Sequence, residues 1–366
     1  IASMINRDIA HQRLHNQLIT RQSFAKPDEV VTWLGAVQAQ DYAAAKWALG
    51  LRLPGATADD IEQAFADGTV LRTHVMRPTW HFVSPADIRW LLALTAPRVN
   101  AASASYHRKF ALDDATFRSC NAALVKALQG GKQLTRPELV SALQQAGIVA
   151  RDTLRFGLII MRAELDGIIC SGARRGKQFT YALLDERAPQ ARTLDRDEAL
   201  AELTTRYFTS HGPATVQDFV WWSGLTVADA RLGLAMVGSQ LMRELIDGQA
   251  YWFATSTLPT RDLSQAAYLL PNFDEYTVGY KDRSAAFDAT HTKKLEPRGD
   301  ILSSHAIVLD GQVVGTWKRT LKKDAVTITP LFFTPLDEAA TGAFVASAEH
   351  YGAFLELPVH ATFQVQ

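Results

Sequence analysis

Apolar positions recur first at helical spacing and then at alternating spacing, and this switch repeats along the chain. The first round opens with a predicted helix carrying His11, Leu14, Leu18 and Ile19. A second helix starts at Pro27-Asp28-Glu29, where proline fits a first turn and the acids favour the positive end of the helix dipole. Its apolar face reads Val30, Leu34, Val37, so the helix is expected to run directly into Gln38-Ala39-Gln40-Asp41. A third helix, Ala58 to Ala66, ends at Gly68. Val70–Val75 and Thr79–Val83 then alternate as two strands around Arg77-Pro78. Helices followed by a β-hairpin form the pattern of a winged helix-turn-helix.

The second round begins at Thr135-Arg136-Pro137-Glu138, a hydroxyl cap with an acid three residues on. Leu139 and Leu143 continue the face, Gly147 ends it, and Leu154 to Asp166 supplies the next helix. Ile168–Gly172 and Gln178–Leu183 are strands flanking a basic loop, Arg174-Arg175-Gly176-Lys177. In the third round come helices at Leu200–Thr209, from Thr215, and at Val227–Val237, then a hairpin about Gly248. After residue 266 the texture becomes β-rich. Ala306–Trp317 is a hairpin turning at Asp310-Gly311, Val326–Thr329 continues the sheet, and Asp337 to Tyr351 is a last helix. The expected architecture is α+β: three tandem winged-helix domains at 4–120, 121–192 and 193–265, then a β-rich domain at 266–366.

Composition narrows the class. With 47% hydrophobic residues over 366 positions the chain has material for several cores. No apolar run approaches the length of a membrane span, and no secretory signal is read ahead of the first domain. Met4 is expected as the natural start, with Ile1-Ala2-Ser3 an added remnant. Two cysteines, Cys120 and Cys170, argue against a disulfide framework or a cysteine zinc site and favour a reducing cytoplasm. Basic and acidic residues balance at 38 each, which argues against a general nucleic-acid coat protein. The distribution is uneven, however. Arg72, Arg77, Arg89, Arg98, Arg108 and Lys109 face Asp87 alone between Thr69 and Phe110. A second basic concentration lies between Lys281 and Lys323, densest at Lys318, Arg319, Lys322 and Lys323. A local basic surface on a neutral protein suits a selective binder.

No glycine-rich phosphate loop, nucleophile elbow or zinc-protease helix is found. His11 and His15 are four apart on a helix but have no third ligand nearby, so they are read as packing residues and no metal is expected. Trp221-Trp222 reads as core or interface, and Asp274 and Glu275 as residues tying the C-terminal domain together.

Four stretches in order carry a resemblance: Gln38-Ala39-Gln40; Leu71-Arg72-Thr73-His74-Val75-Met76-Arg77-Pro78-Thr79-Trp80-His81; Leu270-Pro271-Asn272-Phe273-Asp274-Glu275-Tyr276; and Gly315-Thr316-Trp317-Lys318-Arg319. Together they resemble the AlkZ/YcaQ family of winged-helix DNA glycosylases over nearly the whole chain. The resemblance implies a C-shaped protein with DNA in its concavity, excision of purines alkylated at N7, and in some members unhooking of interstrand crosslinks. It also implies catalytic roles for Gln38 and Gln40, which match the family's glutamine–apolar–glutamine form, with Ala39 a small spacer. Asp41 is an alternative general base. Candidate DNA contacts are His74, Arg77 and His81 on the first hairpin, Arg174, Arg175 and Lys177 on the second, and Lys318 and Arg319. The partner is then double-stranded DNA carrying alkylated bases, without cofactor or membrane, and the protein a monomer near the nucleoid.

Geometry sets a condition. Residues two apart on a straight helix face different ways, so both glutamines can meet one substrate only if the helix ends or distorts near Gln40. Two rival readings stand beside the glycosylase: a transcription regulator of the same fold, and a protein–protein module with incidental basic clusters.

Overall fold

The computed structural model describes residues 6–21, 23–150, 152–255, 266–295 and 300–361. Met4 and the domain boundary expected at 265 lie outside them. The fold mixes helices with four separate sheets.

The N-terminal elements are α1 (Asn6–Asn16), α2 (Pro27–Leu34), β1 (Val37–Gln38), α3 (Tyr42–Gly50), α4 (Ala58–Asp67), β2 (Leu71–Val75) and β3 (Arg77–Val83). Helix α2 ends sooner than its apolar spacing suggests. Gly35 takes φ +81°, a conformation that only glycine adopts without strain, and turns the chain out of the helix. Val37 still points into the core, but from a strand. Strand β1 pairs antiparallel with β3, Val37 opposite Phe82 and Gln38 opposite His81, in a sheet ordered β1-β3-β2. Arg77-Pro78, expected in the turn, open β3 instead; the turn falls at Met76, with φ +62°.

Helix α5 (Ile88–Lys109) follows, with Pro97 inside it. Its apolar stripe stops near Val99 and the proline interrupts the helical signal, so the sequence pattern did not announce it. Helix α6 (Asp114–Leu128) was also unannounced. It packs with β4 (Leu134–Thr135), α7 (Arg136–Gln145), α8 (Thr153–Leu165), β5 (Ile169–Ser171) and β6 (Thr180–Leu183) around Phe117, Cys120, Leu124, Leu143 and Ile160. The boundary expected at 120 therefore falls inside a helix whose buried face belongs to this second core.

Next come α9 (Leu184–Arg187), α10 (Arg196–Ser210), α11 (Val216–Ser223), α12 (Val227–Val237), β7 (Met242–Ile246) and β8 (Gln249–Phe253). The C-terminal sheet is ordered β13-β12-β11-β10-β9, from β9 (Ala267–Leu270), β10 (Ala306–Leu309), β11 (Gln312–Leu321), β12 (Val326–Phe332) and β13 (Val359–Ala361). The short helix α13 (Glu275–Val278) follows β9, and α14 (Glu338–Leu355) covers the sheet.

The C-terminal sheet shares one hydrophobic core with α2, α3 and α4. Trp47 of α3 packs on Tyr351 and Phe354 of α14, and its indole N–H donates to the Leu269 carbonyl at 2.6 Å. Gly50 lets α3 approach α14, because a Cβ there would sit 2.4 Å from the Phe354 ring. Beside this contact Arg52 makes a two-point bond to Asp274, Nη1 to Oδ2 at 2.8 Å and Nη2 to Oδ1 at 2.9 Å, with both side chains buried. Asp274→Ala should cost about 3–5 kcal/mol, because it leaves the Arg52 guanidinium buried without its counter-charge. Urea unfolding reads this directly; a loss below about 1 kcal/mol would show that water reaches Arg52 in the folded state.

Candidate active site

The triplet lies at the exit of β1: Gln38 closes the strand, and Ala39 and Gln40 follow it outside any helix, so the straight-helix geometry that would part the two glutamines does not apply. Val37 and Ala39 are buried in the core, while the Gln38 and Gln40 side chains both bond the first hairpin, Gln38 at Arg77 and Gln40 at Trp80. Ala39 is fully buried in that core, so a small apolar residue is what the position between the glutamines accommodates.

Each amide is oriented by a donor. Arg77 Nη2 donates to Gln38 Oε1 at 2.9 Å, and the Trp80 backbone N–H donates to Gln40 Oε1 at 3.3 Å. Neither partner atom can accept, so the carbonyl oxygens face the hairpin and the NH₂ groups face away from it. Each oxygen keeps a second lone pair. Gln38 is almost wholly buried, whereas Gln40 is exposed. The backbone is pinned as firmly: Ala39 N–H donates to the Trp80 carbonyl at 2.7 Å, Arg72 Nε donates to the Ala39 carbonyl at 3.0 Å, and Gln38 N–H donates to Glu275 Oε1 at 3.0 Å.

Glu275 gathers donors from three parts of the chain. Its other oxygen accepts from Trp222 Nε1 at 2.8 Å and pairs with His211 Nε2 at 3.2 Å. Burial pushes its carboxyl up, but the bonds from His211 and Gln38 hold it below the usual carboxylate range. The sequence reading of Asp274 and Glu275 as fold residues therefore holds for both, but Glu275 also supports the glutamine triplet. Its participation was hidden because no local pattern links residues 38 and 275.

Asp41 does not end a helix; it starts one. Oδ1 accepts from Ala44 N–H at 3.1 Å and caps α3, and Oδ2 accepts from Asn272 Nδ2 at 3.4 Å. His305 Nδ1 accepts from the Asn272 N–H at 2.7 Å, which places its proton on Nε2. Asn272 and His305 thus flank Gln40's neighbour without any sequence signal of their own.

The first hairpin's candidates separate. Arg77 is next to Gln38 and lies 5.9 Å from the Trp221 ring. His74 pairs through Nδ1 with buried Glu164 and packs tilted against the Trp80 ring, centroids 4.2 Å apart. His81 is fully buried, with Nδ1 on the Thr79 carbonyl at 3.0 Å, and has no face for a phosphate. On the second hairpin Arg174 pairs with Glu62 at 3.3 Å and Arg175 with Glu138 at 2.8 Å, while Lys177 is exposed. In β11 Lys318 is exposed, and Arg319 donates to the Tyr351 hydroxyl at 2.7 Å. His11 bonds Asp310 at 2.7 Å. Among the described residues no group of three or more His, Cys, Asp or Glu side chains is placed to hold a metal, and no helix is long and apolar enough to cross a membrane.

The model of the family described as DNA glycosylase AlkZ-like matches residues 31–354. The chain belongs to the AlkZ-like DNA glycosylase family. An interstrand DNA cross-link repair glycosylase of Streptomyces sahachiroi is 24% identical to this AlkZ-like protein over 340 residues, covering 88% of this chain and 90% of that one. The solved structure of Streptomyces sahachiroi DNA glycosylase AlkZ has the same fold. It matches with a TM-score of 0.81 at 23% identity, over 99% of this chain and 100% of that chain.

Two imidazoles near the AlkZ-like triplet make stability depend on pH. Burial, with Arg77 adding, pulls His81 down to about 3, and burial, with Arg319 adding, pulls His305 down to about 4. Unfolded histidines titrate near 6.5, so unfolding takes up protons below that pH. Stability should be full above pH 6.5 and fall as pH drops toward 4. The urea midpoint should be lower at pH 5 than at pH 7.5; an unchanged midpoint would contradict neutral burial of these rings.

Proposed function

We propose that this protein is a monofunctional DNA glycosylase that hydrolyses the N-glycosidic bond of N7-substituted purines in double-stranded DNA, crosslinked adducts included. The observation that carries this reading is the pair of glutamine amides, Gln38 and Gln40, at the exit of β1, both with carbonyl oxygens oriented by fixed donors on the first hairpin. Family membership supports the reaction class.

The chemistry asks little of the protein at the base. An N7-substituted purine carries positive charge and leaves without being protonated. The sugar becomes electron-poor and cationic, and a water must reach C1′. The free lone pair on each Oε1 accepts from that water or faces the cationic sugar. Donation from Arg77 polarises the Gln38 amide and strengthens its N–H groups as donors. A carboxylate pair, as sugar glycosidases use, is unnecessary for so labile a bond. Asp41 is spent on capping α3 and on Asn272, and we read it as a positioning residue. Three winged-helix units would form a C-shaped cleft around duplex DNA, with the protein acting as a monomer at the cytoplasmic nucleoid.

A duplex carrying one N7-methylguanine separates this reading from a regulator. The glycosylase should release free base, leave an abasic site and favour damaged over intact duplex whatever the sequence. Binding with strong preference for one intact sequence, and no release, would support the regulator instead.

A further inference from the structure

A cavity of about 400 Å³ lies on the junction between the first and second hairpins. Its walls include Arg72, Arg136, Lys177, Trp80, Phe179 and Tyr181, and no carboxylate lines it. This concentration of cations contrasts with the surface around it. Arg174 and Arg175, on the same hairpin as Lys177, each meet a carboxylate: Arg174 shares Glu62 with Lys46, and Arg175 pairs with Glu138. Arg72, Arg136 and Lys177 have no carboxylate partner among the described residues.

Arg72 is the unusual member. Its side chain is more than nine-tenths buried and lies between two rings, 4.4 Å from Trp80 and 4.5 Å from Phe179. Burial pulls its guanidinium down to about 10, against the nearby Glu164 carboxylate, which lies beyond ion-pair distance and raises it in part. A buried cation without a paired anion is costly, and a guanidinium between aromatic faces presents its remaining N–H groups in a plane. Arg136 lies 5.0 Å from the Phe156 ring, and Lys177 reaches in from the solvent side. Cations of like sign gathered at one cavity, with flat rings beside them, match a phosphate next to a nucleoside.

We propose that this cavity seats one backbone phosphate of the bound DNA strand, held by Arg72, Arg136 and Lys177 beside the Trp80 ring. The proposal rests on the DNA-binding reading above. Its mechanical consequence is specific. Arg72 donates to the Ala39 carbonyl at 3.0 Å, and the Trp80 N–H donates to Gln40 at 3.3 Å. The residues that seat the phosphate therefore also fix the backbone between the two glutamines. A strand anchored here is registered against the amides through two hydrogen bonds, without a flexible linker between anchor and site.

The test is binding of the full chain to a duplex with a central 2′-fluoro N7-methylguanine, which depurinates slowly. A neutral methylphosphonate replaces one phosphate at a time around the lesion. For the wild type one position should weaken binding by about tenfold, the loss of one charge-assisted contact. Arg136→Ala and Lys177→Ala should each weaken binding to the unmodified duplex and lower the salt dependence by about one released counterion. At the sensitive position the methylphosphonate should cost either variant little further. Equal costs in variants and wild type at every position would overturn the proposal, as would a wild type insensitive at all positions or unable to bind the duplex. Base release from ordinary N7-methylguanine duplex is measured in parallel. Release without this coupling removes the phosphate seat and keeps the glycosylase; coupling without release does the reverse.

Discussion

Gln40→Ala should lower single-turnover base release from N7-methylguanine duplex by about 10²–10³-fold, the range seen when one preorganised polar group is removed from a reacting centre. The fold gives this substitution little other way to act. Gln40 is exposed, and its side chain bonds only the Trp80 N–H among the described residues. The strand keeps its Ala39–Trp80 bond and Asp41 still caps α3. Stability should therefore change by no more than about 0.5 kcal/mol. Gln38→Ala should behave differently. It removes the acceptor from Arg77, whose Nε is already buried without a partner, so a stability loss of about 1–3 kcal/mol should accompany the fall in rate. Equal melting behaviour of the two variants would contradict this division of roles.

Glu275→Ala should have the largest effect on stability. It strips the acceptor from three buried donors at once: the Gln38 N–H, the Trp222 indole and His211. Each orphaned donor costs about 1–3 kcal/mol, so the sum is a large share of a typical domain's margin. Glu275→Gln keeps the shape but turns one oxygen into a donor that must face either Gln38 or Trp222. In that variant the folded protein should still bind damaged duplex, while its single-turnover rate at saturating protein drops roughly tenfold to a hundredfold as β1 shifts. A wild-type rate in the folded Glu275→Gln protein would mean that Glu275 stabilises without positioning.

Local pattern made most elements legible. The capping box at Thr135, the stop at Gly68 and the Asp310-Gly311 hairpin all appear where the residues point. What escaped depended on tertiary contact or on one backbone angle. Val37 keeps helical spacing with Val30 and Leu34, yet Gly35 has already turned the chain, so the triplet starts at the end of a strand and not in the helix. Helix α5 hid behind Pro97 and a stripe that is apolar only in its first half. In the site, the glutamines carried a short motif that could be read, whereas Glu275, Asn272 and His305 arrive from more than 230 residues away along the chain. The basic candidates carry partners that the sequence did not show. A charged hairpin looks free in sequence, but His74, Arg174 and Arg175 find acids that were distant in the chain.

In the proposed mechanism Gln38 and Gln40 together perform the hydrolysis. The measurement is the rate of free-base release from an N7-methylguanine duplex by wild type, by each alanine variant and by the double variant, all with protein in excess over DNA. The account predicts release by the wild type and a double variant scarcely slower than Gln40→Ala, because the two amides act on one transition state and their losses do not add. Release at the wild-type rate by the double variant, with folding intact, would contradict it.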